Sequence, residues 1–233
     1  MKSLTVIQHT SAEHLGYLED HLEGRGVRFR YVRPFTAGST VPRADALGDG
    51  LVLLGGGPWS TQAPRALPTL EAERALALDC LMANRLVIGI GLGAQILALA
   101  AGGSIAAAPL SLIAGEARRT AADALNGYLP ERFPYAVYMR DWPVPPDYAT
   151  ILAVDENERP LIFQMGDTAF GFACHPGFKS AMAEDLIMEF DEAPDNPAPA
   201  LAKLQTLNRR IEEALAPIMT GLVQVSGLMR PPA

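Results

Sequence analysis

The run VIGIGLGAQILALAAGGSI, residues 87–105, limits the fold more tightly than any other stretch of the chain. It starts as an apolar segment, turns through Gly89, Gly91 and Gly93, and goes on as an apolar helix. A buried strand that turns sharply into a helix belongs in a parallel α/β sheet. Such a turn exposes whatever side chain stands at its tip. The tip here is Gly91, which has none.

The rest of the chain supplies partners for such a strand. LTVIQH, residues 4–9, reads as the first strand. SAEHLGYLEDHLEGRG reads as a helix, with Ser11 as N-cap, Leu15, Leu18 and Leu22 at helical spacing, and Gly24 and Gly26 at its end. VRFRYVRP alternates as a strand and stops at Pro34, and GLVLLGGGP is an apolar run ending in three glycines. TLEAERALALDCLMANR is a helix whose inner stripe takes in Leu70, Ala77, Leu78 and Leu81. Strands alternating with helices predict an open, mostly parallel sheet with helices on both faces. Residues 106–149 are less regular, and their prolines exclude a long helix. TILAVDENERPLIFQMGDTAFGFACHP reads as three short strands, a small antiparallel extension, and KSAMAEDLIMEF as a helix after it.

These elements make one α/β domain over residues 1–190. A Pro-rich linker or surface loop follows at 191–200, and a C-terminal helical segment at 201–233. The tail repeats apolar residues at Leu201, Leu204, Leu207, Ile211, Leu215, Ile218, Leu222 and Val225. That period predicts a helix packed on its own domain, with a homo-oligomer or partner contact as the alternative.

Composition excludes several classes of function. A formal net charge of −7 argues against nucleic acid as a partner. The longest apolar run contains Gly89, Gly91, Gly93 and Gln95 and falls short of the ~20 residues of a membrane span. Cys80 and Cys174 fit neither a disulfide framework nor a zinc site. His9, His14 and His21 have no metal-ligand spacing and are expected to be structural or at the surface. The chain reads as a soluble cytoplasmic protein with reduced thiols, no metal and no cofactor.

Three glycine- or histidine-bearing segments end strands: GGGP with Gly56, Gly57 and Pro58; GIGLGAQ with Gly89, Gly93 and Gln95; and CHPGF with His175 and Pro176. Ligands of parallel sheets sit at such carboxyl ends. Together with the opening strand and the helix before the elbow, this set resembles the class I, triad-type glutamine amidotransferase family over roughly residues 4–190. The resemblance implies a flavodoxin-like sheet. It also implies backbone donors at Gly56 and Gly57, joined at the elbow by Leu92, for an oxyanion hole. A cysteine nucleophile would stand at position 91, and His175 would be its base. An orienting glutamate would stand at position 177. Gln95, Glu116, Ser60 and Asp141 are the further pocket candidates. In this sequence positions 91 and 177 are both glycine. Glycine supplies neither a thiolate nor an orienting carboxylate, so the resemblance implies a degenerate triad of Gly91, His175 and Gly177.

Besides a true glutaminase whose missing groups come from elsewhere, three functional readings follow. The first is a chain that has lost glutamine hydrolysis and serves as the partner subunit of a synthetase, a synthase or another protein, or as a binder of an unidentified small molecule. The second is an enzyme of altered chemistry using His175 with Ser60 or a bound ligand. The third takes GIGLGA as the dinucleotide pattern G-x-G-x-x-A, with Gly89, Gly91 and Ala94 holding a nucleotide or another anion.

Overall fold

The computed structural model describes residues 2–229. Its elements are β1 (Ser3–Ile7), α1 (Leu18–Glu23), β2 (Arg28–Val32), β3 (Gly50–Leu53), α2 (Leu70–Met82), β4 (Leu86–Ile90), α3 (Leu92–Ala100), β5 (Ser104–Ala106), β6 (Ser111–Arg119), β7 (Arg132–Met139), β8 (Trp142–Val144), β9 (Thr150–Val154), β10 (Pro160–Met165), β11 (Ala169–Phe172), α4 (Ser180–Glu189) and α5 (Ala198–Val225). Nine strands form one sheet in the order β2-β1-β3-β4-β11-β10-β9-β6-β7, and β5 pairs with β8 in a separate ribbon. Strands β2, β1, β3, β4 and β11 run parallel, and β10, β9, β6 and β7 continue the sheet antiparallel. The architecture is α/β, a flavodoxin-like sheet with an antiparallel extension.

Apolar residues alternate across β3 because successive side chains of a strand point to opposite faces. Leu51 and Leu53 join Leu76, Ala77, Cys80, Ile96 and Leu97 beneath α2 and α3. Val52 and Leu54 join Leu18, Leu22, Leu215, Ile218 and Leu222 beneath α1 and α5. A third cluster packs α4 and the start of α5 against Leu112, Ala114, Ala136 and Tyr138. Strand β4 lies between β3 and β11, so the elbow rises from the middle of the parallel half. The antiparallel half returns beside it, where His175 N–H donates to the Ala136 carbonyl at 3.0 Å.

Three expectations need correction. The first helix is short: it begins at Leu18, with Tyr17 as N-cap, and Ser11 caps nothing. Gly16 at φ +63° breaks the helical path, and the polar groups of Thr10, Ser11 and Ala12 bind Glu189 instead of a helical turn. In α2 the buried residues are Glu73, Leu76, Ala77 and Cys80, while Leu78 faces outward. The inner stripe is rotated because Glu73 turns into the core to meet His9. Finally, α5 starts at Ala198, inside the expected 191–200 loop, since Pro199 fits the first helical turn.

On α5, Leu204, Ile211, Leu215, Ile218 and Leu222 are buried against the chain's own core. Residues 230–233 of the expected tail lie outside the described residues. Among the described residues no helix is long and apolar enough to cross a membrane.

Candidate functional site

The elbow forms where β4 ends. Gly91 takes φ +55° and ψ −115°, a conformation that L side chains rarely adopt. Its N–H donates to the Phe172 carbonyl of β11 at 2.8 Å, and the Gly93 N–H donates to the Leu54 carbonyl at 3.1 Å. These bonds pin the turn to both neighbouring strands. A Cβ on Gly91 would meet Gly55 Cα at 3.3 Å, a tight contact, and a Glu13 carboxylate oxygen at 3.8 Å. A side chain at 91 would face strain at φ +55° together with this close approach of the Gly55 backbone.

Residues 9–17, between β1 and α1, lie over this turn as a strap. Glu189, the last residue of α4, clamps one end of it. Its carboxylate accepts from Thr10 Oγ1 at 2.8 Å, from Ser11 Oγ at 2.9 Å, and from the Ser11 and Ala12 N–H groups at 3.2 and 2.9 Å. Burial alone would raise this carboxyl, but the donors of Thr10, Ser11 and Ala12 outweigh it and hold the pKa below the usual carboxylate value. At the other end, the Tyr17 N–H donates to the Gly177 carbonyl at 3.0 Å.

The strap brings ionisable side chains to the elbow. Glu13 is buried, and its carboxylate lies against the GGGP loop, where the Gly57 N–H points to Oε2 at 3.4 Å. A Cβ on Gly55 would fall 1.8 Å from Glu13 Oε1, so the side chain enters only because residue 55 is glycine. Burial pushes the Glu13 carboxyl up to about 7, against the opposing pull of the Gly57 N–H, the His9 charge and the Gly55 N–H. His9, also buried, lies between Gly55 and Glu73: Nδ1 is 3.0 Å from the Gly55 carbonyl and Nε2 is 2.7 Å from Glu73 Oε2. The carbonyl can only accept, so Nδ1 carries a proton. Burial lowers the His9 pKa, but the charge and hydrogen bond of Glu73 more than reverse this and raise it above the ordinary value. Thr69 Oγ1 donates to the second Glu73 oxygen at 2.6 Å and completes the pair.

His175 is engaged on both ring nitrogens. Nε2 is 2.8 Å from the His14 carbonyl, and the Gly177 N–H donates to Nδ1 at 3.2 Å. These partners fix a neutral tautomer with its proton on Nε2. Burial lowers its pKa to about 4, against the pull of the His14 carbonyl. Gly177 lies tight against the strap. A Cβ there would meet the Leu15 carbonyl oxygen and the Leu18 nitrogen at 2.9 Å. A side chain at 177 and the strap in its present course exclude each other.

The structure therefore gathers Gly56, Gly57, Gly91, Leu92, His175 and Gly177 around the strap; Gly56 packs on Leu92, whose Cδ2 would lie 2.5 Å from a Cβ on it. Gln95, Ser60 and Asp141 form an adjoining wall. Gln95 Nε2 donates to the Arg140 carbonyl at 2.6 Å, Ser60 Oγ donates to Asp141 Oδ2 at 2.5 Å, and Asp141 Oδ1 accepts from the Ala108 N–H at 2.8 Å. Ser60 is thus paired with Asp141 and not with His175. Glu116 stands apart on β6, where its carboxylate pairs with Arg210 of α5 at 3.2 Å. Cys174 is buried in the core, and burial raises its thiol to about 12. Among the described residues no group of three or more His, Cys, Asp or Glu side chains is arranged to hold a metal ion.

Sequence reasoning missed Glu13, Glu73 and the role of the strap. One signal was available: GGGP carries three glycines where the resemblance accounts for two. The extra one, Gly55, is the residue that admits Glu13.

No profile of a known protein family matches the chain. A curated relative does: the glutamine amidotransferase-like protein YfeJ of Salmonella typhimurium is 31% identical over 187 residues, 78% of each chain. Solved structures share the fold. A glutamine amidotransferase from Methylobacillus flagellatus superposes with a TM-score of 0.80 at 21% identity, over 97% of this chain and 95% of that one. One from Thermotoga maritima gives a TM-score of 0.79 at 21% identity, over 97% and 98%. Motif segments, sheet order and relative agree, and the chain belongs to the glutamine amidotransferase-like family.

Proposed function

We propose that this chain does not hydrolyse glutamine and acts as a small-molecule binder or a partner subunit built on the amidotransferase fold. One observation carries the proposal. At the tip of the elbow there is no nucleophilic side chain, and the space beside it is taken by Glu13 of the same chain. Amide hydrolysis on this fold needs a thiolate at the tip and a base free to generate it. His175 is a poor base for this step, because both its nitrogens bind backbone and burial lowers its pKa to about 4, far below that of a thiol. Losing a triad as a unit costs on the order of 10⁶ in rate.

Neither alternative gains support. Altered chemistry through His175 and Ser60 needs two groups that have other partners. A nucleotide phosphate at the turn over residues 89–94 would meet the Glu13 carboxylate. The partner would be a synthetase, a synthase or another protein, and the buried thiols Cys80 and Cys174 fit the reducing cytoplasm. Ammonia release from L-glutamine by the purified chain, alone and with candidate partners, tests the proposal. Release equal to that of the heat-denatured protein supports it, and turnover above that level refutes it. Covalent labelling by a glutamine-like electrophile should likewise fail.

A further inference from the structure

Beside the elbow, a cleft of about 580 Å³ opens between the GGGP loop and the end of β7, with Ser60, Arg65, Ala108, Arg140, Asp141 and Glu192 in its lining. Two guanidinium groups converge in it. Arg140 follows β7, and its Nε points to the Pro58 carbonyl at 3.4 Å. Its own carbonyl is held by Gln95 of α3. Arg65 comes from the turn after the GGGP loop, where residues 60 and 66 bridge. Both close on one carboxylate: Arg140 Nη2 binds Glu192 Oε1, and Arg65 Nη2 lies 3.0 Å from Glu192 Oε2.

Glu192 lines this cleft from outside the sheet. It belongs to the loop between α4 and α5 and lies outside both helices. Of its carboxylate oxygens, Oε1 accepts from Arg140, while Oε2 lies beside Arg65 without a hydrogen bond. Arg140 is 22% exposed, so its charge needs a counter-charge in place. The Asp141 carboxyl, also in the lining, hydrogen-bonds the Ser60 hydroxyl and the Ala108 N–H rather than either guanidinium.

A second observation is on β7. The Tyr138 hydroxyl is buried and has no hydrogen-bond partner. A buried hydroxyl without a partner is costly in a finished core.

We propose that Arg65 and Arg140 form the anion seat of a small-molecule site, that its ligand is a small carboxylic acid, and that Glu192 holds the seat as an intramolecular competitor. The group now between the two guanidinium groups is a carboxylate, that of Glu192, and the assignment of a carboxylic acid follows this occupant. The proposal deepens the binding reading above and rests on it.

Titration calorimetry with succinate, inorganic phosphate and L-glutamine tests the seat on the wild type, on Glu192→Gln, and on Glu192→Gln combined with Arg140→Gln. Removing the competitor should tighten succinate binding about tenfold or more, and adding Arg140→Gln should abolish the gain. Succinate should also raise the melting temperature of the wild type, and less so in Arg140→Gln; this arm holds even if Glu192→Gln misfolds. Equal succinate affinity in the wild type and in folded Glu192→Gln would overturn the proposal. So would tighter binding of phosphate than of succinate. Glutamine turnover is read in a separate assay, so failure of the binding reading is distinguishable from failure of the seat.

Discussion

The elbow and the strap lying on it are built in opposite ways. At the elbow the backbone is dense and side chains are missing. Gly89 lies so close to the following turn that a Cβ would meet the Gly93 carbonyl oxygen at 2.4 Å, and Gly93 lies against the Leu53 carbonyl oxygen at 2.0 Å. In the strap the backbone is irregular and the side chains carry the interactions: Thr10 and Ser11 on Glu189, Glu13 on the GGGP loop, and the His14 carbonyl on His175. The comparison teaches that a turn can hold its shape with no side chain at its tip, because neighbouring strands hold it. The strap has no such frame, and its place depends on a few buried polar contacts.

That contrast can be broken by substitution. Gly93→Ala attacks the backbone-dense region, where the obstacle is a carbonyl that cannot yield, and should cost about 4 kcal/mol or prevent folding. Denaturant unfolding reads it, and a near-neutral result would contradict the rigid elbow.

Glu13 tests the other side through pH. Its carboxyl titrates at about 7 when folded and near 4.5 when unfolded. Between those values the folded state keeps a proton that the unfolded state releases. This group's contribution to stability is therefore full below about pH 4.5 and lost as pH rises through 7. Glutamine has no such titration. The stability of Glu13→Gln minus that of the wild type should rise by about 3 kcal/mol across this window. His175, with its lowered pKa of about 4, acts in the opposite direction. It does so in both proteins and cancels in the difference. A flat difference would place Glu13 in water.

Gly177→Ala should cost about 2 kcal/mol, since its Cβ presses the Leu15 carbonyl and the Leu18 nitrogen from 2.9 Å. Faster amide exchange across residues 10–17 would show the strap yielding. Exchange and stability both unchanged would break the claim that a side chain at 177 and the strap are incompatible. Gly91→Cys should cost least, about 1–2 kcal/mol, from the φ of +55° and a 3.3 Å approach to Gly55 Cα, since no neighbour lies closer than that. It should fold and still release no ammonia from glutamine, since His175 remains bound to backbone.

How much of this was legible in the sequence follows the same division. Strand–turn–helix segments announce themselves through apolar runs and glycines, so the elbow, GGGP and CHP were all read at their correct places in the sheet. Ser60 and Asp141 were named as separate pocket candidates, and their mutual hydrogen bond needed the structure. Glu116 was a pocket candidate only through the family resemblance, and in the structure it pairs with Arg210 of α5. The strap was misread because Leu15, Leu18 and Leu22 keep a helical period that Gly16 interrupts. Glu73 hid among the charges of a helix, since nothing local marks a carboxylate that turns inward to meet a histidine 64 positions away.

The claim that the space above the elbow is filled from within is tested most directly by a carbon-13 NMR titration of the Glu13 carboxyl, assigned with Glu13→Gln, while the Gly57 amide is followed in the same samples. A midpoint of about 7, tracked by the Gly57 amide, is the expected result. A midpoint near the ordinary 4.5, with a Gly57 amide that does not follow it, would place the carboxylate in solvent and contradict the filled elbow.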